Sequence, residues 1–301
     1  MVRCHAKLNL FLKILGKRPD GYHDLISIMQ SIDLSDIIRL EETQTNAIEI
    51  TCSNPNVPLD HTNIAWKAAE TLTKVTHKPS RGIKISIEKG IPLMGGLAGG
   101  SANGAGTLRA LQKLWNLPID EKTLIDLAAQ IGSDVPFCLI GGTALVRGKG
   151  EIVEPLPTGL ADLSVRGGAF LLVIPPVKVN TKEAYDSLDL YRQAENIEPD
   201  ESIDPLLLMQ TWQKAIFEGT IVELLHNDFE PVVLRNYPIL SDIHKNLRNT
   251  AGHALISGSG STIFAWFPTV NDALAAQNAY TPVANEATLI SLPVSKGIEL
   301  D

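Results

Sequence analysis

The stretch that decides the fold of this chain is IPLMGGLAGGSAN, residues 91–103. Apolar residues alternate over residues 83–88 just before it, which is typical of a β-strand. Leucines recur at helical spacing over residues 108–115 just after it, which predicts a helix. The order strand, glycine loop, helix therefore places the amino end of a helix, starting at about residue 101, directly beyond four glycines.

This loop has the properties of a phosphate site. Glycine has no Cβ, so backbone N–H groups can approach a ligand closely. The first four N–H groups of a helix are unpaired and carry about half a positive charge, which favours an anion. The alternative is a plain turn between strand and helix. The loop is neither a P-loop, since no lysine follows it, nor a Rossmann G-x-G-x-x-G loop. The predicted ATP-binding residues of the loop are Pro92, Met94, Gly95, Gly96, Leu97, Ala98, Gly99, Gly100 and Ser101.

Polar residues in three other segments are candidates for the chemistry. Residues 5–15 alternate like a half-buried strand, so Lys7 and Asn9 lie on one face. Residues 18–21 are predicted to form a turn, and Tyr22 and His23 directly follow it. Asp134 stands at the start of a predicted short helix, where a capping role is the alternative interpretation.

Length and charge bound the class of protein. The chain has 301 residues, 44% of them hydrophobic, which suggests two domains at about 150 residues each. We place them at residues 1–160 and 169–301, because the stretch between them is rich in proline and glycine. The net charge is 26 − 34 = −8, which argues against nucleic acid or an anionic membrane as a partner.

Cysteine usage and hydropathy indicate the compartment. Cys4, Cys52 and Cys138 are far apart and odd in number, so neither a disulfide framework nor a zinc site is expected. Lys7 and Lys13 interrupt the amino-terminal apolar stretch, unlike a secretory signal, and no apolar run approaches about 18 residues. We expect a cytoplasmic protein without a membrane span.

The motifs together resemble the GHMP kinase superfamily, whose phosphate loop reads approximately P-x-x-x-G-L-x-x-S/G-S. Residues 92–101 match that loop, and the glycine turn at residues 257–260 resembles the third motif of the superfamily. The segments AKLNL, PDGYH and GSDVPF, at residues 6–10, 19–23 and 132–137, are most similar to its kinases for a cytidine diphosphate-linked methylerythritol. Two departures are Ala98, where glycine is more usual, and Ala102 in place of a second serine.

The resemblance implies a fold and a reaction. The fold would be α+β, with an amino-terminal domain like ribosomal-protein S5 domain 2 and a carboxy-terminal ferredoxin-like domain. The reaction would use ATP and Mg²⁺ to phosphorylate the substrate's 2-hydroxyl group in non-mevalonate isoprenoid biosynthesis. Mg²⁺ would bind the ATP phosphates, with Ser101 as a candidate protein ligand and no other metal ligand assigned. We expect a monomer or a weak homodimer.

The resemblance also implies roles for residues of this chain. Lys7 and Asp134 would be the catalytic pair. Asn63 and Lys67 would border the adenine pocket. The implied substrate-binding residues are Asn9, Tyr22, His23, Lys149 and Tyr185. For the last two, a solvated hairpin lysine and a core tyrosine are the alternatives.

Two other functions remain open at the level of sequence. A homoserine or mevalonate type of kinase would share the phosphate loop but has no reason to keep the turn at residues 20–23. A nucleotide-binding regulator without catalysis would not need Lys7 and Asp134 together.

Overall fold

The computed structural model describes residues 1–76, 82–162, 168–200 and 202–300. Part of the predicted boundary between the two domains, residues 163–167, lies outside these ranges, and the division into residues 1–160 and 169–301 stays a prediction.

Two sheets organise the strands of the described chain. An eight-stranded sheet has the order β12-β1-β2-β4-β3, with β5 added beside β2, β6 beside β5, and β8 beside β1. A four-stranded sheet has the order β11-β7-β10-β9. The strands are β1 (Val2–Lys17), β2 (His23–Thr43), β3 (Ile48–Cys52), β4 (Gly82–Glu88), β5 (Thr143–Gly148), β6 (Ile152–Pro155), β7 (Ala169–Ile174), β8 (His226–Asn227), β9 (Leu255–Ile256), β10 (Ile263–Phe267), β11 (Ala287–Ser291) and β12 (Ile298–Leu300).

Helices cover the sheets and supply the ends that face the site. They are α1 (Ile64–Thr76), α2 (Gly99–Leu114), α3 (Glu121–Ile131), α4 (Val135–Ile140), α5 (Thr181–Glu195), α6 (Pro205–Glu218), α7 (Glu230–Asn236), α8 (Pro238–Ala251) and α9 (Val270–Ala279). A 3₁₀ turn lies at Ile221–Leu224. Across the described ranges, every helix is too short or too polar to cross a bilayer.

Local pattern predicted most of these elements. The alternation over residues 83–88 is strand β4, and the short helix predicted to start at Asp134 is α4. Strands β5 and β6 pair as an antiparallel hairpin, and Lys149 lies in the turn between them. Helix α2 begins at Gly99, two residues earlier than predicted. The α+β class is therefore confirmed.

Strand β1 departs from its prediction in one respect that matters for function. Its alternation predicts one buried face and one open face, yet Lys7 and Asn9 are only 4% and 2% exposed. The reason is tertiary: β1 lies between β2 and β12 within the sheet, and the glycine turn of residues 257–260 covers the polar side of this strand. The polar face is thus enclosed by a segment about 250 positions away.

The hydrophobic core consists of two clusters that meet at strand β7. One cluster packs α1, α2 and α3 on the larger sheet and extends to Phe170 and Leu172 of β7. A second cluster contains Leu171 and Val173 of the same strand, together with residues of α5, α7 and α8. Because successive strand residues point to opposite faces, β7 is buried on both sides. This double burial explains why its sequence is a continuous apolar run.

Candidate active site

A cavity of about 990 Å³ lies where the glycine loop, β1, the start of α4 and the start of α5 meet. Its lining includes every residue that the sequence analysis assigned to the site except Asn63 and Lys67. The predicted residues on its wall are Lys7, Asn9, Tyr22, His23, Pro92, Met94, Gly95, Gly96, Leu97, Ala98, Gly99, Gly100, Ser101, Asp134, Lys149 and Tyr185.

The glycine loop enters α2 through left-handed backbone conformations. Met94, Gly96 and Ala98 have φ values of 55°, 73° and 56°. Ala98 occupies the N-cap position and its side chain makes no capping hydrogen bond. Ser101 lies within the first turn of α2 and does not cap the helix. The first amides of α2 thus have no side-chain cap at the cavity wall, where an anion would satisfy them.

A second glycine turn, residues 257–262, holds this loop in place. The amide of Thr262 donates to the carbonyl oxygen of Gly95 at 3.2 Å, and the Ser257 hydroxyl donates to that of Gly96 at 3.0 Å. A Cβ on Gly96 would lie 2.0 Å from the Ser257 carbonyl oxygen. Gly96 is therefore required both by its φ and by this close backbone approach.

The other side of the loop is fastened by a buried carboxylate, Asp36 on β2. Its Oδ1 accepts hydrogen bonds from the amides of Gly90 and Ile91, each at 2.8 Å. Its Oδ2 accepts from Asn103 Nδ2 on α2 at 2.8 Å and forms an ion pair with Lys89. Asp36 thus ties the start of the loop to the first turns of α2, a role that sequence analysis missed.

Lys7 is attached to the loop through its own backbone. Its amide donates to the carbonyl oxygen of Leu97 at 3.2 Å. Its ammonium group donates to Asn9 Oδ1, and the Asn9 amide nitrogen donates to the hydroxyl of Ser27 at 2.9 Å. The two predicted residues of β1 therefore form one hydrogen-bonded unit beside the glycine loop.

Asp134 precedes α4 and is not a helix cap. Its backbone is α-helical, with φ −86° and ψ −7°, and its carboxylate makes no capping hydrogen bond. Burial raises the pKa of the nearby Cys138 thiol, the Asp134 charge raises it further, and the Lys7 charge opposes that rise. The charges of Asp134 and Lys7 are therefore both close enough to influence the Cys138 thiol. Neither charge takes part in an ion pair among the described residues.

The rings of Tyr22, His23 and Tyr185 form another part of the cavity wall, which we call the aromatic end. Tyr22 is 54% exposed, and Lys149 Nζ lies 4.8 Å from the centre of its ring. His23 is buried and stacks on Tyr185, with ring centres 4.7 Å apart and an interplanar angle of 24°. Since these two rings already touch, no base fits between them. The open face for a flat ligand is that of Tyr22.

Asn63 and Lys67 are not brought to the cavity wall. Asn63 caps α1, since its Oδ1 accepts from the amide of Ala65 at 2.9 Å and its Nδ2 donates to the Pro58 carbonyl oxygen at 2.6 Å. Lys67 is exposed to solvent. Ile64, between them, does line the cavity. The proximity of these two residues to a bound adenine stays a prediction.

Several cavity residues were not found from sequence. Gly258 and Ser259 belong to the second glycine turn, which was noted without a binding role, and Lys89 immediately precedes the phosphate loop. Proximity to these motifs could have indicated them. Gly21, Gly132 and Ser133 also belong to quoted motifs, whereas the other lining residues carry no local pattern. The further lining residues are Leu12, Lys17, Gly21, Leu25, Met29, Ile64, Lys89, Leu93, Gly132, Ser133, Thr181, Lys182, Asp186, Phe229, Gly258 and Ser259.

The side chains around the cavity limit how a metal ion could bind. Over the described ranges, no three His, Cys, Asp or Glu side chains converge as ligands for an ion. Mg²⁺ commonly keeps several waters and binds through substrate phosphates, so this lining is compatible with a cation that arrives with a nucleotide.

Comparison with known proteins agrees with this geometry. The chain matches the family models for the GHMP kinases N terminal domain over residues 63–142 and the GHMP kinases C terminal domain over residues 213–284. The fold and the glycine loop thus define a GHMP kinase.

Relatives and solved structures narrow the family. Two relatives carry the name 4-diphosphocytidyl-2-C-methyl-D-erythritol kinase. The one from Geobacillus kaustophilus is 42% identical to this chain, over 87% of this chain and 86% of the relative. The one from Thermoanaerobacter pseudethanolicus is 37% identical, over 99% of this chain and 98% of the relative. A crystal structure of 4-(cytidine 5'-diphospho)-2C-methyl-D-erythritol kinase superposes with a TM-score of 0.75 and 28% identity, over 97% of this chain and 99% of that one. A homoserine kinase from Cytophaga hutchinsonii shares the fold, with a TM-score of 0.73 and 20% identity, over 99% and 96%. The chain belongs to the 4-diphosphocytidyl-2-C-methyl-D-erythritol kinase family.

Proposed function

We propose that this protein transfers the γ-phosphoryl group of ATP to the 2-hydroxyl of 4-diphosphocytidyl-2-C-methyl-D-erythritol, giving the 2-phosphate and ADP. The reaction belongs to non-mevalonate isoprenoid precursor biosynthesis. The observation that carries the proposal is the convergence of Lys7, Asp134 and the uncapped start of α2 on one cavity. The names of the relatives favour this substrate over homoserine or mevalonate.

ATP would bind with its phosphates against the loop of residues 92–101. The amides at the start of α2 supply donors, and the helix dipole adds a partial positive charge. The cradle is already formed, because Asp36 and the turn of residues 257–262 hold the loop from two sides. A preformed set of donors costs no reorganisation when charge develops on the transferred group.

We propose that Mg²⁺ binds mainly to the ATP phosphates and not to a cage of protein ligands. Ser101 lies in the first turn of α2 on the cavity wall and would offer it a hydroxyl. When bound, the cation would neutralise charge on the β and γ phosphates.

Asp134 and Lys7 would manage the acceptor hydroxyl. The 2-hydroxyl is tertiary, so it must be held in line with the γ-phosphorus and must lose its proton during transfer. The Asp134 carboxylate accepts or orients that proton. The Lys7 ammonium stabilises the developing alkoxide and phosphoryl charge, while Asn9 fixes its direction.

The cytidine end of the substrate would lie at the aromatic end of the cavity. Tyr22 offers an exposed ring and Lys149 a cation above that ring. His23 and Tyr185 form the adjacent wall. The cavity, of about 990 Å³, has room for an extended substrate that joins a base through a diphosphate to a polyol.

Location and assembly complete the proposal. A cytoplasmic, reducing location fits the three free cysteines, two of which are buried. We propose a monomer or a weak homodimer, with no nucleic acid or membrane partner, since the net charge is −8.

The test is a coupled assay of ADP release with three acceptors at equal concentration: the cytidylyl-methylerythritol compound, homoserine and mevalonate. We expect turnover with the first acceptor only. Turnover with homoserine or mevalonate at a comparable kcat/KM would replace the proposed substrate, and dependence on added Mg²⁺ would test the cation.

A further inference from the structure

The ring of His23 is fixed from two directions by α5. Its face stacks on Tyr185, and its Nε2 atom lies 2.8 Å from Oδ1 of Asp189, one turn further along the helix. The His23 side chain is only 6% exposed. Among the described residues, no hydrogen-bond partner is found for its other ring nitrogen, Nδ1. The orientation of a cavity residue is thereby set by a helix from the other half of the chain.

Asp189 is itself held as a carboxylate. Its Oδ2 accepts a hydrogen bond from Lys17 Nζ at 3.0 Å. Partial burial raises the pKa of Asp189, but the hydrogen bonds from Lys17 and His23 outweigh burial and lower it overall. An ionised carboxylate can only accept hydrogen bonds, so His23 Nε2 must carry the hydrogen. In the neutral imidazole, Nδ1 is then the acceptor, since the hydrogen bond at one ring nitrogen decides the state of the other.

We propose that Asp189 is a positioning residue that makes His23 Nδ1 a hydrogen-bond acceptor, so that the site selects a pyrimidine with an exocyclic amine. Cytosine has an N4 amine, which donates, and uracil has an oxygen at the same position, which only accepts. An acceptor at His23 pairs with the amine and opposes the oxygen. The inference rests on the proposed function, because it assumes a cytidylyl substrate at this end of the cavity.

The size of the effect follows from the chemistry of recognition. A site built to hydrogen-bond one group rejects an analogue that lacks it, because a buried polar atom is left unpaired. Without Asp189, the hydrogen on His23 moves freely between the two nitrogens, and the ring loses one of its two restraints. Among the described residues, the hydrogen bonds of Asp189 go to His23 and Lys17, so ATP binding and the chemical step should be spared.

The experiment compares wild type with Asp189→Asn, Asp189→Ala and Asp189→Glu, using the cytidylyl substrate and its uridylyl analogue. For Asn and Ala we expect KM for the cytidylyl substrate to rise ~10-fold and the cytidylyl preference in kcat/KM to fall ~10-fold. KM for ATP should stay within about twofold. Asp189→Glu keeps the acceptor and should recover part of the preference. The matched control is Glu195→Gln, which removes an exposed carboxylate of the same helix and should change nothing.

A double-mutant cycle separates positioning from general structural support. In a His23→Ala background, Asp189→Asn should have no further effect on the preference for cytosine. If Asp189→Asn lowers the preference for cytosine equally in the wild-type and His23→Ala backgrounds, the inference is overturned while the proposed function stays intact. The same holds if KM for ATP rises as much as KM for the cytidylyl substrate. Wild type inactive on the cytidylyl substrate would instead remove the proposed function and the inference together. If Asp189→Ala fails to fold, the nearly isosteric Asp189→Asn decides.

Discussion

Lys7 is almost completely buried, yet its ammonium group is hydrogen-bonded to an amide and not to a carboxylate. A buried charge without an opposite charge is costly, and proteins retain such groups mainly where function needs them. Asp134, on the same cavity wall, also lacks an ion-pair partner among the described residues. The site therefore holds two charged side chains, Lys7 and Asp134, that are available to a ligand. A single substitution can test each of them.

Replacing Lys7 by methionine should separate stability from catalysis. We expect kcat to fall ~10²- to 10³-fold, because one charged donor to the transition state is lost. The free energy of unfolding should stay within ~1 kcal/mol of wild type or rise, because removal of an uncompensated buried charge offsets one lost hydrogen bond. Urea titration and steady-state kinetics measure the two effects, with exposed Lys122→Met as control. A large loss of stability would show that Lys7 supports the fold.

Asp134→Asn should remove proton handling and keep the shape of the site. We expect kcat to fall ~10²- to 10⁴-fold, while nucleotide affinity measured by calorimetry is unchanged. Asp126→Asn, which removes an exposed carboxylate on α3, is the matched control. Unchanged kcat in Asp134→Asn would exclude this carboxylate from the reaction.

At the scale of elements, the phosphate loop depends on two segments that are remote in sequence. Asp36 on β2 binds the start of the loop, and residues 257–262 bind its centre. The loop also contains Ala98 in a left-handed conformation, which costs roughly 1 to 2 kcal/mol for a residue with a Cβ. The conformation is maintained because neighbouring elements hold the backbone on both sides.

Gly96→Ala tests this dependence. The new Cβ would lie 2.0 Å from the Ser257 carbonyl oxygen, so the loop and the second glycine turn must separate. We expect KM for ATP to rise by ~10-fold or more and the melting temperature to fall. Gly252→Ala is matched in backbone strain, with φ +80° against +73°, but its Cβ meets nothing within 4 Å. It should lower the melting temperature modestly and leave KM for ATP unchanged; an equal effect of both substitutions on KM would refute the role of close approach.

At the scale of the whole molecule, ionic contacts join β1 to helices of the later half of the chain. Asp228 accepts hydrogen bonds from the amide of Ile14 at 2.9 Å, from Arg192 at 2.7 Å and from His226 at 2.7 Å. Lys13 and Lys17 of β1 bind Asp200 and Asp189 at 2.8 and 3.0 Å. These contacts hold α5 beside β1 and so keep the aromatic wall of the cavity together.

Asp228→Asn should destabilise the protein in a pH-dependent way. Burial raises the pKa of Asp228, but hydrogen bonds from His226 and Ile14 outweigh it, so the pKa in the folded state is lowered. Because the pKa is lower in the folded state, the ionised Asp228 stabilises the fold at pH values above its unfolded-state pKa of about 3.9. This stabilisation is lost as the pH falls through the folded-state pKa. We expect a loss of ~3 kcal/mol in unfolding free energy at pH 7 that shrinks below about pH 4. Urea titrations at pH 7 and pH 3 measure it. A loss that is the same at both pH values would contradict the ionic explanation.

Local sequence predicted several of the elements and the phosphate loop. Period-two and helical spacing predicted β4 and α2 because these periods follow from backbone geometry alone. The loop of residues 92–101 was predicted from glycine content and the helix that follows it. Tyr185 and Lys149 came from the family resemblance, and the structure places both on the cavity wall.

What only the tertiary structure decided are the contacts between distant segments. The amide of Asn9 lies 3.4 Å from the hydroxyl of Ser257, and His23 meets Asp189 across 166 positions. No local period encodes which remote segment covers a strand, so the burial of Lys7 and the orientation of His23 could not be predicted. The sequence alone determined the elements, the phosphate loop and the chemical types at the site, because these follow from short-range backbone preferences; the packing of remote segments determined which of those groups are buried, held and aimed at a ligand.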